Sequence, residues 1–236
     1  MSEKKVVLGV GAHPDDMEFG ASGTIAKLVE EGWDAYYIIA TDGSRGSKDP
    51  QMTHARLSGI RRDEQLAAAK VLGLKDVFFL GHTDTQLVAD QALKEEIVRI
   101  IRKVRPSIVI TMNPTFYYYA GEAYGFVNHT DHRNVGLATL DAVFPMSRDR
   151  LTFLDHEKEG LSPWRVEELW FVNFIEKQHV VDITSTWDKK VAALKVHKSQ
   201  FGDFEKETKR FKMRAEEVGK EKGYQYAESF VKILMP

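Results

Sequence analysis

The sequence predicts an α/β protein with a three-layer, Rossmann-like fold and a mostly parallel sheet. Three observations predict it. Short apolar runs alternate with amphipathic helical stretches through the first half of the chain, in the order βαβαβαβ, and that order implies parallel strands joined by right-handed crossovers. The runs are apolar at every position rather than at every second one, as strands covered on both faces should be. The chemistry-bearing side chains bunch just after the strands, where open α/β sheets bind ligands.

The first strand is Val6 to Ala12, running into His13-Pro14-Asp15-Asp16-Met17-Glu18. A helix is expected from Gly20 to Glu31, because Ala21, Ile25, Leu28 and Val29 share one face; Gly32 ends it. The second strand, Ala35 to Ala40, stops at the Gly-punctuated loop from Thr41 to Ser47. A long helix from Thr53 to Val71 ends at Gly73, and the third strand, Val77 to Leu80, leads into Gly81-His82-Thr83-Asp84. Leu93, Ile97, Ile100, Ile101 and Val104 form the clearest helical stripe, closed by Arg105-Pro106. The fourth strand is Ser107 to Thr111.

The alternation then breaks. Asn113 to Asn128 reads as a long loop too aromatic to be disordered, with Phe116, Tyr117, Tyr118, Tyr119, Tyr124 and Phe126. His129-Thr130-Asp131-His132 opens a helix toward Val143. Leu169 to Phe174 and Val180 to Ile183 read as two further strands paired as a hairpin. Thr186 to His197 is a helix with Trp187, Val191 and Leu194 inward, and Glu205 to Glu221 a solvated helix laced with opposite charges. No repeat or linker interrupts the chain, which reads as one domain, 1–236.

Composition narrows the function. The 236 residues are 43% hydrophobic and 29% charged, with a net charge of −2 and no basic stripe to suggest nucleic acid. The absence of cysteine excludes disulfides, thiolate metal sites and cysteine nucleophiles. The first apolar run is too short for a membrane span or signal peptide, so a soluble, cytoplasmic protein is expected.

A metal site here must use imidazole and carboxylate, and three such ligands with an open position for water make a catalytic zinc site. His13 and Asp16 can share one ion. A third ligand must come from another strand end, and His129 and His132 follow the fourth strand, the neighbour of the first at the switch point. Either cluster alone is as well explained otherwise: Asp131 can cap its helix, and Asp15 and Asp16 can serve the next helix through its dipole. Both at neighbouring strand ends point to metal-assisted hydrolysis of an amide or ester. Asp15, beside a ligand, is the natural base. His129, oriented by Asp131, can stabilise the oxyanion and protonate the leaving group.

These residues carry a resemblance. Ala12-His13-Pro14-Asp15-Asp16-Met17-Glu18 resembles the AHPDDxE signature of the LmbE/PIG-L-like zinc-dependent N-acetylglucosamine deacetylases, and His129 to Gly136 resembles their HPDHxxxG. Thr41-Asp42-Gly43, Arg61 to Glu64 with Leu72-Gly73, Leu80 to Asp84 and Tyr226 to Phe230 extend the likeness over nearly the whole chain. Thr130 departs from it, standing where the family most often has Pro. The resemblance implies an LmbE-like fold and His13, Asp16 and His132 as ligands of Zn²⁺, with Fe²⁺ suited to the same donors. It implies Asp15 as base, and His129, helped by Asp131, at the tetrahedral intermediate. It implies Arg61 and Asp84 on the sugar hydroxyls, a small N-acetyl sugar as substrate, and a homo-oligomer, trimer or hexamer. His197 sits in an HxSQ-like element that can reach the site, and Glu18 is left to steady the ligand loop. The aromatic loop can be a wall for the sugar ring or a subunit contact.

Two rival readings stand beside this one. The nearest is an amidase of the same fold acting on a thiol-sugar conjugate. The other is a metal-free sugar- or nucleotide-binding protein using Gly9 and Gly11, which the carboxylates at the phosphate position argue against.

Overall fold

A computed structural model describes residues 4–121, 125–173 and 178–235. The strands β1 (Val6–Gly11), β2 (Asp34–Thr41), β3 (Asp76–His82) and β4 (Ile108–Met112) form the parallel part of the sheet. Between them run α1 (Asp16–Gly20), α2 (Ser22–Glu30), α3 (His54–Leu72) and α4 (Gln91–Val104). The full order is β3-β2-β1-β4-β7-β9-β8, where β7 is Glu168–Val172, β8 is His179–Asp182 and β9 is Ala227–Leu234. The chain leaves β1 toward β2 and β3 on one side and returns to β4 on the other, so β1 and β4 flank the switch point. All five residues of β4 are buried, and the only residue of β1 not fully buried is Val6. This continuous burial is why their sequences are apolar without alternation.

Local rules explain the boundaries. The Thr53 side chain caps α3 by accepting from the Arg56 amide, and Gly73 ends it in the left-handed conformation (φ 78°). Asp90 caps α4 through the Leu93 amide, and Arg105 (φ 54°) ends it. After β4 come the short strands β5 (Tyr118–Ala120) and β6 (Gly125–Val127), then α5 (Thr130–Asp141) and α6 (Asp155–Lys158). Gly136 lets α5 lie against the end of β4: a Cβ there would stand 2.3 Å from the Met112 carbonyl oxygen. The last helices are α7 (Trp187–Lys195) and α8 (Phe204–Gly219).

Three expectations are corrected. The first helix begins at Asp16 and is broken at Ala21 (φ −147°) into α1 and α2. The break is held by a buried ion pair: the Lys190 ammonium donates to the Glu18 and Phe19 carbonyls ending α1, and Glu228 accepts from the Gly23 and Thr24 amides opening α2. Their own Nζ–Oε1 distance is 2.7 Å. The 113–128 stretch is not all loop, since β5 and β6 pair antiparallel within it; Tyr124 lies outside the described residues. β7 and β8 do not form a hairpin, because β9 inserts between them antiparallel to both; Phe174, the expected end of β7, lies outside the described residues. His156, in the α6 turn, is buried with Nε2 3.3 Å from Glu95.

Candidate metal centre and active site

The loop after β1 presents three acids in three directions. Asp15 sits at φ 99°, a conformation that non-glycine residues adopt at a cost of about 1–3 kcal/mol. Its amide donates to the Gln65 side-chain oxygen (3.0 Å), and its carboxylate makes no capping bond to α1. Asp16 turns back on its own loop: Oδ2 accepts from the Ala12 and His13 amides at 2.8 and 2.9 Å. Oδ1 is left facing His132 Nε2 at 3.1 Å. Glu18 is fully buried, accepts from Gln65 Nε2 (3.0 Å) and lies 3.5 Å from His197 Nε2.

The first turn of α5 closes the site from the other side. The His132 Nδ1–H donates to Asn128 Oδ1 (3.1 Å), which leaves Nε2 as a lone pair. His13 Nδ1 lies 3.3 Å from that nitrogen. His13 Nε2 faces two carboxylates at 3.2 Å each, Asp131 Oδ2 and Asp84 Oδ1. Asp131 does not cap α5. Its buried carboxylate accepts from the Thr85 and Leu87 amides, and it is the His129 ring that caps, Nδ1 accepting from the Asp131 amide. That bond places the neutral His129 proton on Nε2. His129 is edge-on to His13 with ring centroids 4.6 Å apart.

The donor set fits a divalent ion. His13, Asp16 and His132 each offer one atom to a common point, and these atoms lie within 4.8 Å of one another. Each ligand's remaining polar atom is tied to a carboxylate, to backbone amides or to Asn128, the arrangement that fixes metal ligands in orientation. Electrostatics agree. Burial alone would lower the His13 pKa, but hydrogen bonds to Asp131, Asp16 and Asp84 push it up to about 12. The site is therefore one that gathers positive charge. Burial opposes ionisation of Asp84, yet His13 and the Arg45 amide bring it down to about 2. Asp16, despite its burial, is held well below the usual carboxylate range by His132 and His13. Asp15 behaves oppositely: burial pushes it up to about 6, against the pull of Arg61. His129 is lowered by burial and by His13.

All eight expected site residues fall in this one cluster. Arg61 lies beneath the loop rather than in the open, its guanidinium on Asp15 (3.2 Å) and on the Pro14 and Gly43 carbonyls. Gly43 (φ 59°) leaves that space, since a Cβ there would meet Arg61 Nη1 at 2.8 Å. Sequence reasoning missed Gln65 and Asn128, which steady Asp15 and His132; an amide side chain carries no local signal of such a task. Asp16 and His132 also form part of the lining of a cavity of about 330 Å³ that runs from the site toward α8.

Comparison with known proteins places this geometry. The profile of the family described as PIG-L: GlcNAc-PI de-N-acetylase matches residues 8–143, and the chain belongs to that family. The diacetylchitobiose deacetylase of Thermococcus kodakarensis is 32% identical over 229 residues, 96% of this chain and 82% of that protein. The 4-oxalmesaconate hydratase of Pseudomonas putida is 28% identical over 206 residues, covering 81% and 72% respectively. The solved structure of the Pyrococcus horikoshii N,N'-diacetylchitobiose deacetylase with its inhibitor superposes with a TM-score of 0.88 at 30% identity, over 98% of this chain and 85% of that one.

Proposed function

We propose that this protein is a zinc-dependent N-deacetylase that removes the acetyl group of an N-acetylated amino sugar, giving acetate and the free amine. The observation that carries it is the convergence of His13 Nδ1, Asp16 Oδ1 and His132 Nε2, with Asp15 and His129 on either side. Zn²⁺ held by these three ligands supplies a Lewis acid and a water of pKa about 7. Asp15 accepts a proton from the attacking water, and a carboxylate poised near neutrality suits that task. The His129 Nε2–H donates to the oxyanion that forms on the amide oxygen. The C–N bond then breaks, Asp15 returns its proton to the departing nitrogen, and acetate leaves. Asp131 acts on His13 and on the His129 turn together. Arg61 and Asp84 are the proposed contacts to sugar hydroxyls, shared with their bonds to Asp15 and His13.

The hydratase relative raises a second chemistry for the fold, addition of water to an unsaturated acid. The site argues for the neutral amide, because Asp15, Asp16, Asp84 and Asp131 crowd the reacting position while the Arg61 guanidinium is already paired with Asp15. We further read 1–236 as one domain, active in the cytoplasm as a trimer or hexamer. The cysteine-free sequence suits a reducing compartment. The exposed Tyr117, Tyr118, Phe126 and Val127 of the β5–β6 region supply a surface for subunit contact. Among the described residues no helix is long and apolar enough to cross a membrane.

The test is acetate release from N-acetylglucosamine, N,N'-diacetylchitobiose and a thiol-sugar conjugate, with metal content measured on the same sample. One zinc per chain and loss of turnover with a chelator are expected. His132→Ala should lose both metal and activity; a metal-replete His132→Ala protein would show that the third ligand is another residue.

A further inference from the structure

The cavity beside the ligands is large for the methyl of an acetyl group. A water takes about 30 Å³ of liquid, a methyl is of similar size, and the cavity measures about 330 Å³. Its walls are Phe19 of α1, Met112 at the end of β4, and Phe211, Ala215 and Val218 of α8. The buried polar groups at its end, Lys190, Glu228 and Ser229, are already bonded within the protein. Lys190 donates to two carbonyls and to Glu228, and Glu228 also accepts from two amides. Ser229 donates to the Asn173 carbonyl, and Asn173 and Arg214 have protein partners of their own. A pyranose buried there would bring hydroxyls to a wall with few partners to offer, and each one left unpaired would weaken binding. An alkyl chain would bring none.

The position is as telling as the polarity. Asp16 and His132 line the cavity, whereas Asp84 and Arg61, the proposed sugar contacts, approach from the β2–β3 side. A carbonyl carbon seated at the three donor atoms thus has its amine substituent toward β2 and β3 and its acyl substituent toward α8. We infer that the cavity is an acyl-chain site, and that the substrate class extends to N-acyl amino sugars with straight chains of four to eight carbons. This rests on the amide-hydrolase reading above; the same C–N bond is broken, and a fatty carboxylate leaves in place of acetate.

The experiment is a homologous series of N-acetyl-, N-butanoyl-, N-hexanoyl- and N-octanoylglucosamine with the zinc-loaded protein. kcat/KM should rise by roughly threefold to fourfold per buried methylene until the cavity is filled. The octyl glycoside of N-acetylglucosamine should show no such gain, and a gain there instead of in the acyl series would overturn the assignment. Ala215→Phe, which fills the cavity, should lower the hexanoyl-to-acetyl ratio; a Phe211→Asn protein should do the same if Ala215→Phe does not fold. Binding of acetohydroxamate through octanohydroxamate, followed by calorimetry, is independent of turnover and should tighten with chain length. Acetate release with a falling acyl series and flat hydroxamate binding would overturn the acyl site and leave the deacetylase reading standing. Chain-dependent hydroxamate binding with no turnover of any N-acylglucosamine would support the acyl site and sink the amino-sugar reading.

Discussion

The two ends of the sheet divide the labour differently. From β1 to β4 the sheet is parallel and regularly connected, and every proposed ligand and acid–base group lies between β1 and the first turn of α5. From β7 onward it contributes an antiparallel strand, two helices and most of the cavity wall but, among the described residues, no donor to the metal cluster. The family profile stops at residue 143, so it spans the first region and not the second. The reacting atoms are thus set by one part of the chain and the shape offered to the substrate by another. A change in specificity needs no change in the ligand geometry.

That division is open to attack by substitution. The largest effect is expected in the first region: Asp15→Asn should lower kcat by about 10²–10⁴-fold while keeping the metal and the melting temperature. Near wild-type turnover would place the base elsewhere. The largest effect in the second region should fall on stability instead. Lys190→Met leaves Glu228 buried without its charge partner and should cost about 3–5 kcal/mol in denaturant unfolding. If it altered metal content while unfolding normally, the two regions would not be separable. Asn128→Ala frees the His132 ring and should weaken metal affinity by about 10–100-fold, measured by chelator competition. The smallest effect concerns pH. Because Asp15 is pushed up to about 6, its proton-accepting form is lost as pH falls through that value, and kcat/KM should fall with it. Arg61 holds that value down, so Arg61→Met should move the fall to higher pH; a fall at unchanged pH would mean that another group titrates.

The same boundary divides what was legible in the sequence. β1 to β4 could be read because each strand is buried on both faces, and the helices between them end at Gly32, Gly73 and Arg105-Pro106, local marks that require no tertiary knowledge. β9 could not be placed, because its partners β7 and β8 lie more than forty residues earlier and nothing in Ala227–Leu234 names them. The break at Ala21 escaped for the same reason: the charges that hold it, Lys190 and Glu228, come from the far end of the chain. At the site, His13, Asp15, Asp16, His129, Asp131 and His132 stood out because ionisable groups crowded two strand ends. Glu18 and His197 were visible as residues, but their contact is a product of packing α7 against α1.

The insertion of β9 also orders events during synthesis. A chain emerges from the ribosome at about 5–20 residues per second, so β1 through α5, with every proposed ligand, are complete several seconds before Ala227–Leu234 appears. During that interval β7 presents an unpaired edge, the kind of surface on which strands of other chains add. The proposed ligands thus emerge before the cavity wall, and the exposure of β7 to misassembly lasts until the strand that separates it from β8 has arrived.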